Sequence, residues 1–171
     1  MKVTGYRLQH ALRELEHARE VAAQQFNDNI LQFKSAADNM ELPLVFARFT
    51  RLEKQIAKAQ TAQTRYNLSV AVNVLGEDMS LLQAVKLVGG AGRAEKMWRD
   101  TVKGKKTDRY GYNNDQRTAG TEYAERSVPV DDAMKHAQHA ARIASALREA
   151  IQVGNATELE IEGLDEASLV P

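Results

Sequence analysis

From Val45 to Asn73 one stripe of residues recurs in alternating steps of four and three: Val45, Phe49, Leu52, Ile56, Ala59, Gln63, Tyr66, Val70 and Asn73. Steps of this size hold a single face toward a neighbouring helix over about four heptads, the spacing of a coiled coil or of a long bundle helix. The feature dominates what the chain can become. It predicts an all-α fold built on a long antiparallel helical hairpin, with one helix over about 44–75.

The flanking segments agree. Leu8, Leu12, Leu15, Ala22, Phe26, Ile30 and Phe33 follow a helical period, and Thr4 can cap the helix they define, over about 4–34. The polar run Ser35 to Glu41, closed by Pro43, reads as the turn between these two helices. Gly76 is the expected stop of the second helix. Ser80-Leu81-Leu82-Gln83 has the spacing of a capping box, so a short helix is expected over about 80–88. Another follows over about 93–102. The last runs over about 129–153, with Pro129 in its first turn, Asp131 and Asp132 complementing the dipole, and Gly154-Asn155 as its stop. Its seam of Ala133, Ala137, Ala140, Ala144, Leu147 and Ile151 is mostly alanine, which permits close approach and buries little area. Residues 103–126 carry turn formers throughout, a long loop for a compact domain. The reading is one helical domain, 1–156, with an acidic C-terminal tail, 157–171.

The two long helices would each reach roughly 45 Å at 1.5 Å per residue, more than the width of a compact globule of this length. One-sided stripes on arms of that length imply a homo-oligomer. Gln63 and Asn73, polar residues in the stripe, are candidates for fixing register, although Asn73 could also lie at a fraying end.

Lysine plus arginine equals aspartate plus glutamate, 23 of each, so total charge selects no partner. Its distribution does more. From Lys86 to Arg117 nine bases face four acids, whereas Glu158 to Glu166 holds five acids and no base. The two segments could pair within or between subunits, or the basic one could be a site of its own. With no cysteine, disulfides, thiolate metal sites and a cysteine nucleophile are excluded. No secretory leader or membrane-spanning run is visible, and a cytoplasmic protein with no membrane partner is expected.

The candidate site is Val88-Gly89-Gly90-Ala91-Gly92-Arg93-Ala94-Glu95-Lys96-Met97-Trp98-Arg99. Read as a glycine turn feeding a helix N-terminus, Gly89, Gly90 and Gly92 would aim free N–H groups at an anion, with Arg93, Lys96 and Arg99 supplying positive charge. Arg109, Tyr110 and Tyr112 could close over a base as a stacking lid. The expected ligand is small, phosphorylated and nucleotide-derived, held without turnover, as in a phage-type protein that sequesters a host defence signal. The plainer alternative is a helical scaffold in which the glycines form only a joint. The segment lacks the Gly-Lys-Ser/Thr of a P-loop and any βαβ context for a dinucleotide turn. Interspersed acids and neutral total charge disfavour nucleic acid along Lys103 to Arg117. His10, Glu14 and His17, and Asp132, His136 and His139, share helix faces at metal-ligand spacing, yet such sets usually lie in solvent; no metal or cofactor is expected. No nucleophile elbow or carboxylate pair argues for an enzyme.

Arg65-Tyr66-Asn67-Leu68, followed by Val74-Leu75-Gly76-Glu77-Asp78-Met79-Ser80-Leu81-Leu82-Gln83-Ala84, resembles uncharacterised bacterial and phage proteins labelled septicolysin-like. In these a long helical hairpin ends in Asn, a Gly turn and a Thr/Ser-Leu helix start. The resemblance covers about residues 5–90 and implies an all-helical oligomer without established chemistry.

Overall fold

The computed structural model describes residues 1–32, 42–103 and 128–171. The fold is all-α. A short β1 (Lys2–Val3) leads into α1 (Gly5–Gln32), followed by α2 (Leu42–Ser69), the strands β2 (Ala71–Val74) and β3 (Glu77–Ser80), α3 (Leu81–Lys103), α4 (Val130–Ala156) and β4 (Leu159–Glu160). A 3-10 turn, Glu166–Ser168, lies near the C-terminal end.

Helices α1 and α2 run antiparallel. Their contacts pair ascending with descending numbers: Gly5 beside Tyr66, Arg19 bridged to Glu53 at 3.4 Å, and the rings of Phe26 and Phe46 at 6.1 Å. Leu8, Leu12 and Leu15 bury against Leu52, Ile56 and Tyr66, the stripes expected from the period. Thr4 caps α1 by accepting from the Arg7 N–H at 3.2 Å. Helices α3 and α4 form a second antiparallel pair, with Leu81 against Gly154 at one end and Trp98 against His136 farther out. The alanine seam is present: Ala133, Ala137, Ala140 and Ala144 are all buried.

The two pairs join at one base. There Tyr66, fully buried, places its hydroxyl 2.7 Å from the Gly154 carbonyl and 2.5 Å from that of Thr157, sharing one proton between them. Gln9 donates to the buried Asn155 at 3.3 Å. A side chain at Gly5 would run into Asn155 and lie 2.9 Å from the Tyr66 ring; one at Gly154 would lie 2.8 Å from Val72 and 2.9 Å from Leu81. Gly5 lets α1 meet α4 across the two pairs, and Gly154 lets α4 approach β2 and its own partner α3.

Several boundaries differ from the sequence reading. The second helix stops at Ser69 instead of near 75. Val70, Val72 and Val74 bury on alternate positions, a period of two that makes β2, and Asn73 is an exposed strand residue. Gln63 is half-exposed, so neither polar residue is a buried register device. Leu75-Gly76 is a two-residue hairpin turn between Val74 and its partner Glu77, with φ of 54° and 93°. The capping box is real: the Gln83 N–H donates to Ser80 Oγ at 3.3 Å, and the Ser80 N–H to Gln83 Oε1 at 2.9 Å. The helix it starts, however, runs unbroken to Lys103. Likewise α4 continues through Gly154-Asn155 to Ala156, because Gly154 serves packing and not termination.

The acidic C-terminal segment is part of the fold, not a free tail. Ile161, Leu164 and Leu169 are buried, and Ile161 N–H donates to the Met1 carbonyl where β4 pairs with β1. Lys58 holds Asp165 at 3.1 Å, Arg7 holds Glu166, and the Gln55 amide donates to the Ala167 and Val170 carbonyls at 2.7 and 2.9 Å. Two of the strap's five acids, Asp165 and Glu166, pair with α2 and α1; among the described residues none pairs with the basic segment that begins at Lys86. The first-helix end at 33–34, the turn 35–41 and the loop as far as 126 lie outside the described residues.

Candidate functional site

The glycines fall inside α3, and this removes the proposed helix N-terminus. Each glycine in a helix costs about 1 kcal/mol relative to alanine, which favours a break on local grounds. Tertiary contacts override it here. Leu81, Ala84, Val88, Ala91, Glu95 and Trp98 continue one covered face at steps of three and four, and α4 packs against that face along its length. Backbone N–H groups at Gly89, Gly90 and Gly92 are therefore placed inside a continuous helix instead of facing a ligand.

The glycines themselves meet nothing that requires them. A Cβ at Gly90 or Gly92 would have no atom within 4 Å, and one at Gly89 would touch only the Arg93 guanidinium at 3.6 Å. None has a positive φ.

Arg93, Lys96 and Arg99 sit three apart. At about 100° per residue, each step moves the side chain 60° around the axis, so the three cations fan out over about 120° and do not converge. Arg93 lies back over Gly89, Lys96 is exposed, and Arg99 is bound to Glu95 at 2.8 Å, one turn earlier. That pair has Glu N-terminal to Arg, the orientation a helix favours. Arg109, Tyr110 and Tyr112 lie outside the described residues. Among the described residues the segment therefore presents a basic outer helix face with a bare backbone.

Trp98 is not beside an anion cradle but stacked on His136 of α4, ring centroids 4.6 Å apart and 23° from parallel. The alanine seam foretells that the last helix faces a neighbour, but no seam is expected from the sequence over 80–102 and this pairing is not foretold. His10, Glu14 and His17 are exposed on α1, and Asp132 is bound to Lys135 at 3.2 Å. No group of three potential metal ligands comes together among the described residues.

A cavity exists elsewhere. Between α2 and the strap lies a groove of about 380 Å³. Lys58, Thr61 and Arg65 form its helix wall, and Ile161, Gly163 and Leu164 its strap wall. A sequence signal for it was there: Arg51, Lys58 and Arg65 recur at intervals of seven, and within Leu42–Ser69 five bases face one acid, Glu53. The denser basic run from Lys86 to Arg117 masks this signal.

Asp165 anchors the strap electrostatically. Hydrogen bonds from the Ser168 hydroxyl and from Lys58, then from the Ser168 N–H, hold its carboxyl below the usual carboxylate range. At the base, burial raises the Tyr66 hydroxyl above its ordinary value, partly opposed by a hydrogen bond from the Gly5 backbone. Both groups hold the structure together; neither touches an open site suited to proton transfer. No described helix is long and apolar enough to cross a membrane. Comparison with family models, curated proteins and solved structures found no match to this chain.

Proposed function

We propose that this protein is a helical interaction module that assembles with further copies of itself through the α3–α4 arm. The observation that carries the reading is the build of that arm. Among the described residues it is two helices thick, sealed by an alanine seam, with the outer sides of both helices uncovered. Alanines bury little area, at about 25 cal/mol per Å², so such a pair gains little from its own seam. Val85, Leu87 and Met97 on α3 and Val130 and Met134 on α4 are exposed. The three glycines weaken α3 without any compensating contact among the described residues, and a bare backbone lets another helix approach closely. Charge supports a second copy as the occupant. The chain is neutral overall, and α3 carries five bases against two acids while the strap is acidic, so copies attract locally without net repulsion.

The competing proposal, a sequestering protein for a small phosphorylated, nucleotide-derived ligand, retains Arg93 and Lys96 as exposed cations but has lost its helix N-terminus. The septicolysin-like resemblance, with its implied oligomer, is compatible with the first proposal. Light scattering across a concentration series separates the two. Self-association abolished by Met97→Lys with Met134→Lys, at unchanged helicity, supports the module. A monomer at all concentrations, together with a thermal shift from one nucleotide class, replaces it with the ligand reading.

A further inference from the structure

We infer that the groove between α2 and the strap binds a small organic anion, its charged head on Arg65 and its apolar body on the groove floor. The volume of about 380 Å³ lies at the lower end of the range of ligand pockets, roughly 300–1,000 Å³. Ala62, Ile161 and Leu164 form an apolar floor, and each is largely withdrawn from solvent. Such a floor offers dispersion contacts to a hydrocarbon body and little further area to bury.

The charges at the rim are not equivalent. Lys58 is bound to Asp165 at 3.1 Å, and Asp165 also accepts from the Ser168 N–H at 2.8 Å, so this pair is satisfied internally. Arg65, two turns farther along α2, is exposed and makes no ion pair among the described residues. Glu162 on the strap wall is the remaining acid. A guanidinium fork matches the planar oxygens of a carboxylate or phosphate. On the strap side, Gly163 has φ of 75° and open space where a Cβ would be, so the turn presents backbone and not a side chain to the ligand.

The test is an amide-resolved NMR titration of the full chain with 1-naphthaleneacetate, its neutral isostere 1-naphthaleneacetamide, and 1-naphthyl phosphate. The expected result is shifts at Thr61, Arg65, Gly163 and Leu164, with an anion bound about tenfold more tightly than the amide, the scale of one charge-assisted hydrogen bond. Tighter binding of the acetate identifies a carboxylate head, and tighter binding of the phosphate a phosphate head. Arg65→Gln removes the preference and Arg65→Lys keeps part of it; Arg65 is exposed, so both variants fold. Equal binding of acid and amide, shifts centred elsewhere, or a preference retained in Arg65→Gln overturns the inference.

Discussion

Replacing Gly89, Gly90 and Gly92 together by alanine separates a continuous α3 from a glycine turn more sharply than any other change. In the structure all three are helical, none has a positive φ, and the added methyl groups meet open space or the flexible end of Arg93 at 3.6 Å. No clash offsets the gain. Each replacement then contributes about 0.5–1 kcal/mol, from reduced backbone entropy in the unfolded chain and better helix propensity. The triple variant is more stable by about 1.5–3 kcal/mol, which for a chain of this size raises Tm by roughly 3–12 °C. Calorimetry and urea unfolding, both at concentrations where the chain is dilute, measure it. A turn with left-handed glycines makes the opposite forecast, because alanine at positive φ costs more than it gains. A lower Tm, or a loss of helical circular dichroism, refutes the continuous helix and restores the anion corner. Light scattering on the same variant adds a second reading: stability up and self-association down places the bare α3 backbone in a contact between copies.

Gly5→Ala destabilises by about 1–3 kcal/mol or more, since the methyl is driven against Asn155 and the Tyr66 ring where the two helix pairs meet; urea unfolding with wild-type stability refutes it. Leu75→Asn stabilises by about 1 kcal/mol, because Leu75 holds a left-handed φ of 54° in a turn that asparagine tolerates better; a lower Tm shows that the turn is of another kind. Tyr66→Phe costs about 1–3 kcal/mol at neutral pH by removing the hydroxyl donor from the Thr157 carbonyl and leaving the Gly154 carbonyl only the Thr157 N–H. Its folded-state pKa is raised, so the wild-type contribution is complete below the unfolded value of about 10 and is lost as pH climbs through the folded one; a Phe variant with the same alkaline stability profile contradicts this. Asp165 is lowered, so its contribution is present above the ordinary carboxylate pKa and lost as pH falls through the folded value. Strap amides at Ile161 and Ser168 should therefore exchange faster in acid, and Asp165→Asn should flatten that dependence; exchange that ignores the substitution refutes the anchor.

Local signals carried over into the structure where local physics was sufficient. Thr4 caps α1 as its hydroxyl and position suggest, Ser80 and Gln83 form their capping box, and Leu52, Ile56, Ala59 and Tyr66 of the stripe bury as their spacing requires. Each depends on residues within a few positions of one another, so adjacent sequence contains all the interacting groups. The candidate site was less legible. Gly89, Gly90 and Gly92 carry a strong local preference for a break, and only the long face shared with α4 overrules it.

The sequence by itself determined the helical class, the apolar faces and most helix starts, because periodicity and capping are encoded over one or two turns. Tertiary structure decided the rest. The base is joined by Tyr66 and Gly154, 88 positions apart, and the strap by Gln55 with Ala167 and Val170, more than 110 apart. Arg65 meets its groove only because Leu164 and Ile161 dock back on α2. Such contacts form when a folded surface brings distant segments together and their burial outweighs the entropy of closing the loop. No window of neighbouring residues contains that balance.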